Sequence, residues 1–184
     1  MTSASSAYGE EISEGNYSFN HIDYIIEGET AACGIGIQAI NKKMQYLDAS
    51  INLNISEDGK RLLGLFKVTV SQVAFLDKQI APKALYVNHG WIKTSTGTKF
   101  IHNSLMRGSD ENHFMAVSNN IDNVMAVITE INMGNNKIGF NEEKGKYDKI
   151  YELKSPPTQS TQNKIFNCID NLIAETLEKN SKPK

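Results

Sequence analysis

From Leu47 to Ile55 every second residue is apolar. Leu47, Ala49, Ile51, Leu53 and Ile55 share one side, and Asp48, Ser50, Asn52 and Asn54 share the other. A period of two predicts a strand with one buried and one wet face, as antiparallel sheets allow. The Asp58-Gly59 pair after it is a hairpin signal, so Arg61–Phe75 reads as the returning strand. Its apolar phase shifts between Leu65 and Phe66, which predicts a bulge near Gly64 and places Phe66, Val68 and Val70 toward the core. Upstream, Cys33, Ile35, Ile37 and Ala39 alternate with Gly34, Gly36 and Gln38 within Ala31–Ile40. The two glycines leave one face almost bare and predict close approach by another backbone or side chain. Ordered structure is expected to begin near Phe19–Ile26. Downstream, Asp77–Lys83 contains Pro82 and reads as a connection. Ala84–Thr94 reads as a strand with Leu85, Val87, His89 and Trp91 on one side. After a turn at Thr94–Gly97, Lys99–Leu105 is the expected hairpin partner, and Met106–Asn112 a polar loop.

The period then changes. Ile121, Val124, Met125, Ile128 and Ile131 follow the spacing of an amphipathic helix, with Ser118 or Asn119 as cap and Gly134 at the stop. Asn136–Phe140 and Tyr147–Leu153 are short strands around a turn. A last helix is expected over Gln159–Glu178, with Ile165, Ile169, Leu172, Ile173 and Leu177 as its apolar stripe. Hairpin-scale spacing between strands favours antiparallel pairing over parallel crossovers. The expected fold is mainly β, an α+β arrangement: an antiparallel β-sandwich or curved sheet with two packed helices, the second C-terminal. Residues 1–18 read as a flexible leader, 19–179 as one domain and 180–184 as a frayed tail.

Composition narrows the function classes. The chain has 184 residues, 40% hydrophobic and 22% charged, with a formal net charge of −2; one globular domain fits these values. There is no basic run of the sort nucleic-acid binders carry. Uncharged apolar stretches do not exceed about ten residues, half the ~20 that a membrane-spanning helix needs. Met1–Gly15 lacks the basic start and apolar middle of an export signal, so a cytoplasmic protein and a mature exported form with an added Met1 both fit.

Candidate chemistry is sparse. Cys33 and Cys168 have neither the spacing of a zinc site nor that of a CxxC motif. They are either two buried thiols or one long-range disulfide. His21, His89, His102 and His113 show no local metal-ligand spacing. A site built from His89, His102, Asp110 and His113 would need the fold to assemble it. No GxSxG elbow is present. Cys33 sits at a core position, unlike a catalytic thiol. Cys33–Ile37 is not a phosphate loop, since no helix follows it, and Ser95–Thr98 reads as a turn. Asp110–His113 and Glu142-Glu143 read as solvated acidic loops. No catalytic, metal or cofactor site is assigned. Asn88-His89-Gly90-Trp91 holds the only tryptophan, and Asn88, His89 and Trp91 form a candidate interface.

The stretch Ile121–Gly134, Lys137–Phe140, Tyr147–Leu153 and Phe166-Asn167-Cys168-Ile169-Asp170-Asn171-Leu172 resembles the invasion-associated locus B type of periplasmic β-sandwich protein. The resemblance covers about the last third of the chain, and the aromatic stands two residues before the cysteine instead of at the family's offset. It implies a disulfide at Cys168, and with it Cys33, together with export and an accessory role. The expected function is therefore non-enzymatic protein binding in the periplasm or another exported location, as an envelope or secretion-system accessory or a toxin-neutralising immunity protein. The alternatives are a self-associating structural component and a ligand-binding or enzymatic domain. No nucleic-acid contact or membrane insertion is expected.

Overall fold

The alternating segments form the sheets. In the computed structural model, which describes residues 11–13, 15–76, 79–102, 104–106, 112–142 and 148–181, a seven-stranded and a four-stranded sheet pack together with two helices. In chain order the strands are β1 (Glu11–Ser13), β2 (Gly15–Ile26), β3 (Glu29–Asn41), β4 (Gln45–Ile55), β5 (Leu62–Leu76), β6 (Gln79–Leu85), β7 (His89–Lys93), β8 (Ser104–Met106) and β9 (His113–Ser118). Helix α1 (Ile121–Ile131), β10 (Asn136–Asn141), β11 (Lys149–Leu153) and α2 (Gln159–Ser181) follow. The large sheet runs β2-β3-β4-β5-β9-β8, with β6 continuing beyond β9 along β5. The small sheet runs β1-β11-β10-β7. All pairings are antiparallel except β1 with β11.

One face of the large sheet carries the core. Cys33, Ile35, Ile37, Leu47, Ile51, Leu53, Phe66 and Val68 are buried there, together with Val124, Val127, Ile128 and Ile131 of α1, Ile165, Ile169 and Leu172 of α2, and Ile92, Ile138, Phe140 and Leu153 of the small sheet. The helices and the small sheet thus cover a single sheet face. The bare side of β3 is occupied as its glycines predict: a Cβ at residue 34 would overlap the β4 backbone at Ile51 and Asn52, and one at residue 36 would meet Asn20. Cys33 and Cys168 are disulfide-bonded across 135 residues, joining α2 to the sheet interior.

Several expectations need correction. Residues 11–13 and 15–18, read as leader, are strand. No bulge lies at Gly64, because β5 keeps one register with both β4 and β9. Gly64 is itself an inward position, and Val124 of α1 packs where its Cβ would stand. The apparent phase shift is this missing side chain. The register does shift between Tyr24 and Ile25. Ala84–Thr94 is not one strand: the chain leaves the large sheet after β6 and enters the small sheet at β7. Lys99 makes only an isolated bridge to Lys93, and β8 pairs with β9, a strand the sequence reading missed. The α1 cap is Asn120, which accepts from Asn123 N, while Ser118 Oγ accepts from Asn120 N. In α2, Thr176 is buried and Leu177 is exposed, so the stripe turns off its expected line. Asn180, read as tail, lies in α2 and donates to Lys60 O at 2.9 Å.

Two outcomes follow from this packing. Reducing the disulfide or making Cys33→Ala/Cys168→Ala should lower unfolding free energy by about 3–5 kcal/mol, given the long loop it closes, as a drop in the urea midpoint would record. Gly64→Ala should cost about 1–3 kcal/mol by overpacking. Combined with Val124→Ala it should cost less than the sum of the two single changes, since the added methyl enters the space that Val124 vacates.

Candidate functional site

Strand β7 is anchored where the chain changes sheet. Asn88 N donates to Asn141 O at 2.9 Å, and Asn88 Nδ2 donates to Asn141 Oδ1 at 3.0 Å. From there the registers of β7, β10 and β11 set out three rows on one face, because residues directly opposite in antiparallel strands point the same way. His89 stands opposite Asn141. Trp91 stands opposite Gly139, which stands opposite Ile150. Lys93 stands opposite Lys137, which stands opposite Glu152. The glycine is required by the indole, since a Cβ at residue 139 would overlap the Trp91 ring. Asp148 fixes the ring's direction: Trp91 Nε1 donates to Oδ2 at 2.7 Å, and Asn141 Nδ2 donates to Oδ1 at 2.9 Å. Each Asp148 oxygen therefore accepts one of these hydrogen bonds.

A cleft of about 650 Å³ wraps the outer edge of β7, with His89, Trp91 and Lys93 from one phase of the strand and Gly90 from the other in its wall. Lys99, Phe100 and His102 form the facing wall. This segment has almost no strand pairing, and α1 holds it instead. Asn123 Nδ2 donates to Lys99 O at 3.1 Å, and Ile101 N donates to Asn123 Oδ1 at 2.9 Å. Two helical turns on, Glu130 accepts from Thr94 Oγ1 at 2.5 Å, from Thr98 Oγ1 at 3.0 Å and from Thr96. Seven residues apart, Asn123 and Glu130 lie on one helix face. The floor is aromatic: His89 meets Phe114 edge-on at 5.0 Å, and Phe100 lies 5.6 Å from Phe66.

Burial pushes the His89 imidazole below its ordinary pKa; Asp148 opposes the shift and His102 adds to it. Hydrogen bonds from Thr94 and Thr96, with a smaller one from Thr98, hold the Glu130 carboxyl below the usual range.

The fold thus brings His89, Trp91 and His102 to one cleft, while Asn88 anchors the start of β7 on Asn141 and does not line it. His89 and His102 stand 6.5 Å apart between ring centroids. His113 is not among them. It alternates along β9 with the buried Phe114 that His89 touches, so it faces the other side of the sheet. Asp110, Glu111 and Glu143 lie outside the described residues, while Glu142 pairs with Lys149 at 2.6 Å. The disulfide leaves neither cysteine as a free thiol. Among the described residues the one grouping of three potential metal donors is Asp23, Cys33 and Cys168, and its two sulfurs are bonded to each other. Ser95–Gly97 is a turn, closed by Gly97 N donating to Thr94 O. The sequence reading missed Asp148, Asn141, Phe100 and the lysines, whose proximity comes from strand register and not from local spacing. Comparisons with family models, curated proteins and solved structures return no match.

The depressed His89 pKa carries a pH dependence. The unfolded chain binds the proton first, at about the ordinary 6.5. The contribution of neutral His89 is therefore fully present above that pH and is lost on acidification below it. Wild-type stability should fall from about pH 6.5 downward, and His89→Gln should flatten that part of the profile in urea titrations at stepped pH.

Proposed function

We propose that this protein is an exported, non-enzymatic binding protein whose recognition site is the cleft along β7. The observation that carries the reading is the fixed, recessed tryptophan. Trp91 lies across Gly139 with its N–H held by Asp148, so an aromatic surface is already ordered inside a concavity of about 650 Å³. Small-molecule sites have about that size and combine apolar walls with a few convergent polar groups. Pre-ordering lowers the entropy that binding must overcome. Among the described residues neither His89 nor His102 hydrogen-bonds a hydroxyl, thiol or carboxylate, which supports binding over turnover. The buried disulfide supports an oxidising compartment, and the resemblance of residues 121–172 to the locus B type points the same way. No helix among the described residues is long and apolar enough to cross a membrane.

A second reading, a protein partner such as an envelope component or a toxin, is supported on β2, an edge strand of the large sheet. Tyr24, Ile25 and Ile26, at the β2 end of the β2–β3 hairpin, are 63%, 63% and 64% exposed. Adjacent large apolar side chains on a surface favour association.

A fragment screen read by thermal shift separates the two. Fragments that stabilise the wild type should lose their effect in Trp91→Ala and keep it in Tyr24→Ser/Ile25→Ser/Ile26→Ser. Fragments that ignore Trp91 and depend on the hairpin would overturn the cleft reading. Export has its own test. Protein from the native host, denatured without reductant and alkylated, should take up no label; two labelled thiols would contradict an oxidising location.

A further inference from the structure

The lysines at the cleft are arranged in a way that strand pairing alone disfavours. Lys93 stands directly opposite Lys137 on one side and bridges Lys99 on the other. Three ammonium groups therefore occupy one row across three neighbouring backbone segments. Like charges directly opposite one another destabilise a pair of strands. One carboxylate answers them: Glu152, opposite Lys137 in the same row, accepts from its Nζ at 3.1 Å. Among the described residues Lys93 and Lys99 have no carboxylate partner, and the row keeps two uncompensated positive charges. Lysine on a strand edge is a common guard against unwanted pairing, and that reason suits Lys93 and Lys99. It does not suit Lys137, because β10 is an interior strand between β7 and β11.

All three lysines line the cleft that also holds Trp91, Phe100 and His102. Along β7 the charged row is the next same-face position after the indole. A ligand lying on the indole would thus bring its own end group to the lysines. Asp148, the carboxylate in the wall, accepts from Trp91 and Asn141; it keeps its charge, but among the described residues it makes no ion pair with the three lysines.

We propose that the cleft binds a small organic anion, with a carboxylate or phosphate seated on Lys93, Lys99 and Lys137 and a planar apolar body against Trp91 and Phe100. This rests on the cleft being the binding site. The bound anion would supply the counter-charge that the strand register leaves out, through charge-assisted hydrogen bonds to flexible ammonium groups.

The test uses the whole protein and four probes: phenyl phosphate, inorganic phosphate, benzyl alcohol and benzylammonium. Calorimetry at low salt gives the affinities, and Trp91, the only tryptophan, reports occupancy by fluorescence. Phenyl phosphate should bind at least about tenfold more tightly than benzyl alcohol, and weaken about tenfold in Lys93→Gln/Lys99→Gln and again with added salt. Inorganic phosphate should bind more weakly than phenyl phosphate, and benzylammonium weakest of all. Equal binding of benzyl alcohol, or unchanged affinity in the double variant, would overturn the anion and leave the cleft standing. Failure of every probe to perturb Trp91 would overturn the cleft and the anion together. A ligand-free readout is independent of these: Lys93→Gln should raise the thermal midpoint by relieving repulsion, and a lowered midpoint would contradict the charged row.

Discussion

The paired hydrogen bonds between Asn88 and Asn141 sit where the fold commits itself. The chain has just finished β6 as an extension of the large sheet along β5. Within three residues it becomes the outer strand of the other sheet. Asn88 satisfies both a backbone and a side-chain group of Asn141 at that step, and Asn141 in turn orients Asp148. Everything on the cleft-facing side of β7 inherits its position from this junction. A slip of one residue would send Trp91 and Lys93 to the core face and bring Ile92 out, because side chains alternate along a strand.

The rest of the architecture serves the same constraint from behind. The large sheet presents one apolar face, and α1, α2 and the small sheet share its cover. Helix α1 then has two tasks on two sides. Its buried Val124, Val127, Ile128 and Ile131 close the core, while Asn123 and Glu130 hold the 94–101 segment that faces β7. The disulfide anchors α2 at the far side. The cleft therefore lies between one wall fixed by strand register and one wall fixed by polar contacts to a helix. Its geometry is set by the fold itself.

Legibility in the sequence followed the range of the interactions involved. Strands β3 and β4 and helix α1 were readable because their apolar period is local and their burial follows it: Leu47, Ile51 and Leu53 are fully buried, as are Val124, Ile128 and Ile131. Gly64 misled because an inward glycine, occupied from outside by Val124, looks like a change of phase. Ala84–Thr94 misled because its alternation continues across a change of sheet, and nothing local marks the switch. Asn88, His89 and Trp91 stand out within the tetrapeptide Asn88-His89-Gly90-Trp91, which holds the only tryptophan. Asp148, the partner of Trp91, lies 57 residues after it, and the lysine row exists only once β7, β10 and the 99 segment are brought together. Sites made by register between distant strands leave no spacing to read.

The central claim, that a small organic anion occupies the cleft along β7, is tested most directly by mapping where such a molecule lands. Backbone amide NMR of the labelled protein, titrated with phenyl phosphate, would locate it. The account predicts saturable shifts concentrated at residues 89–93, 99–102 and 137–139 and at the Trp91 indole N–H. Shifts concentrated instead on the β2–β3 hairpin and α2, or scattered over exposed lysines without saturation, would contradict it.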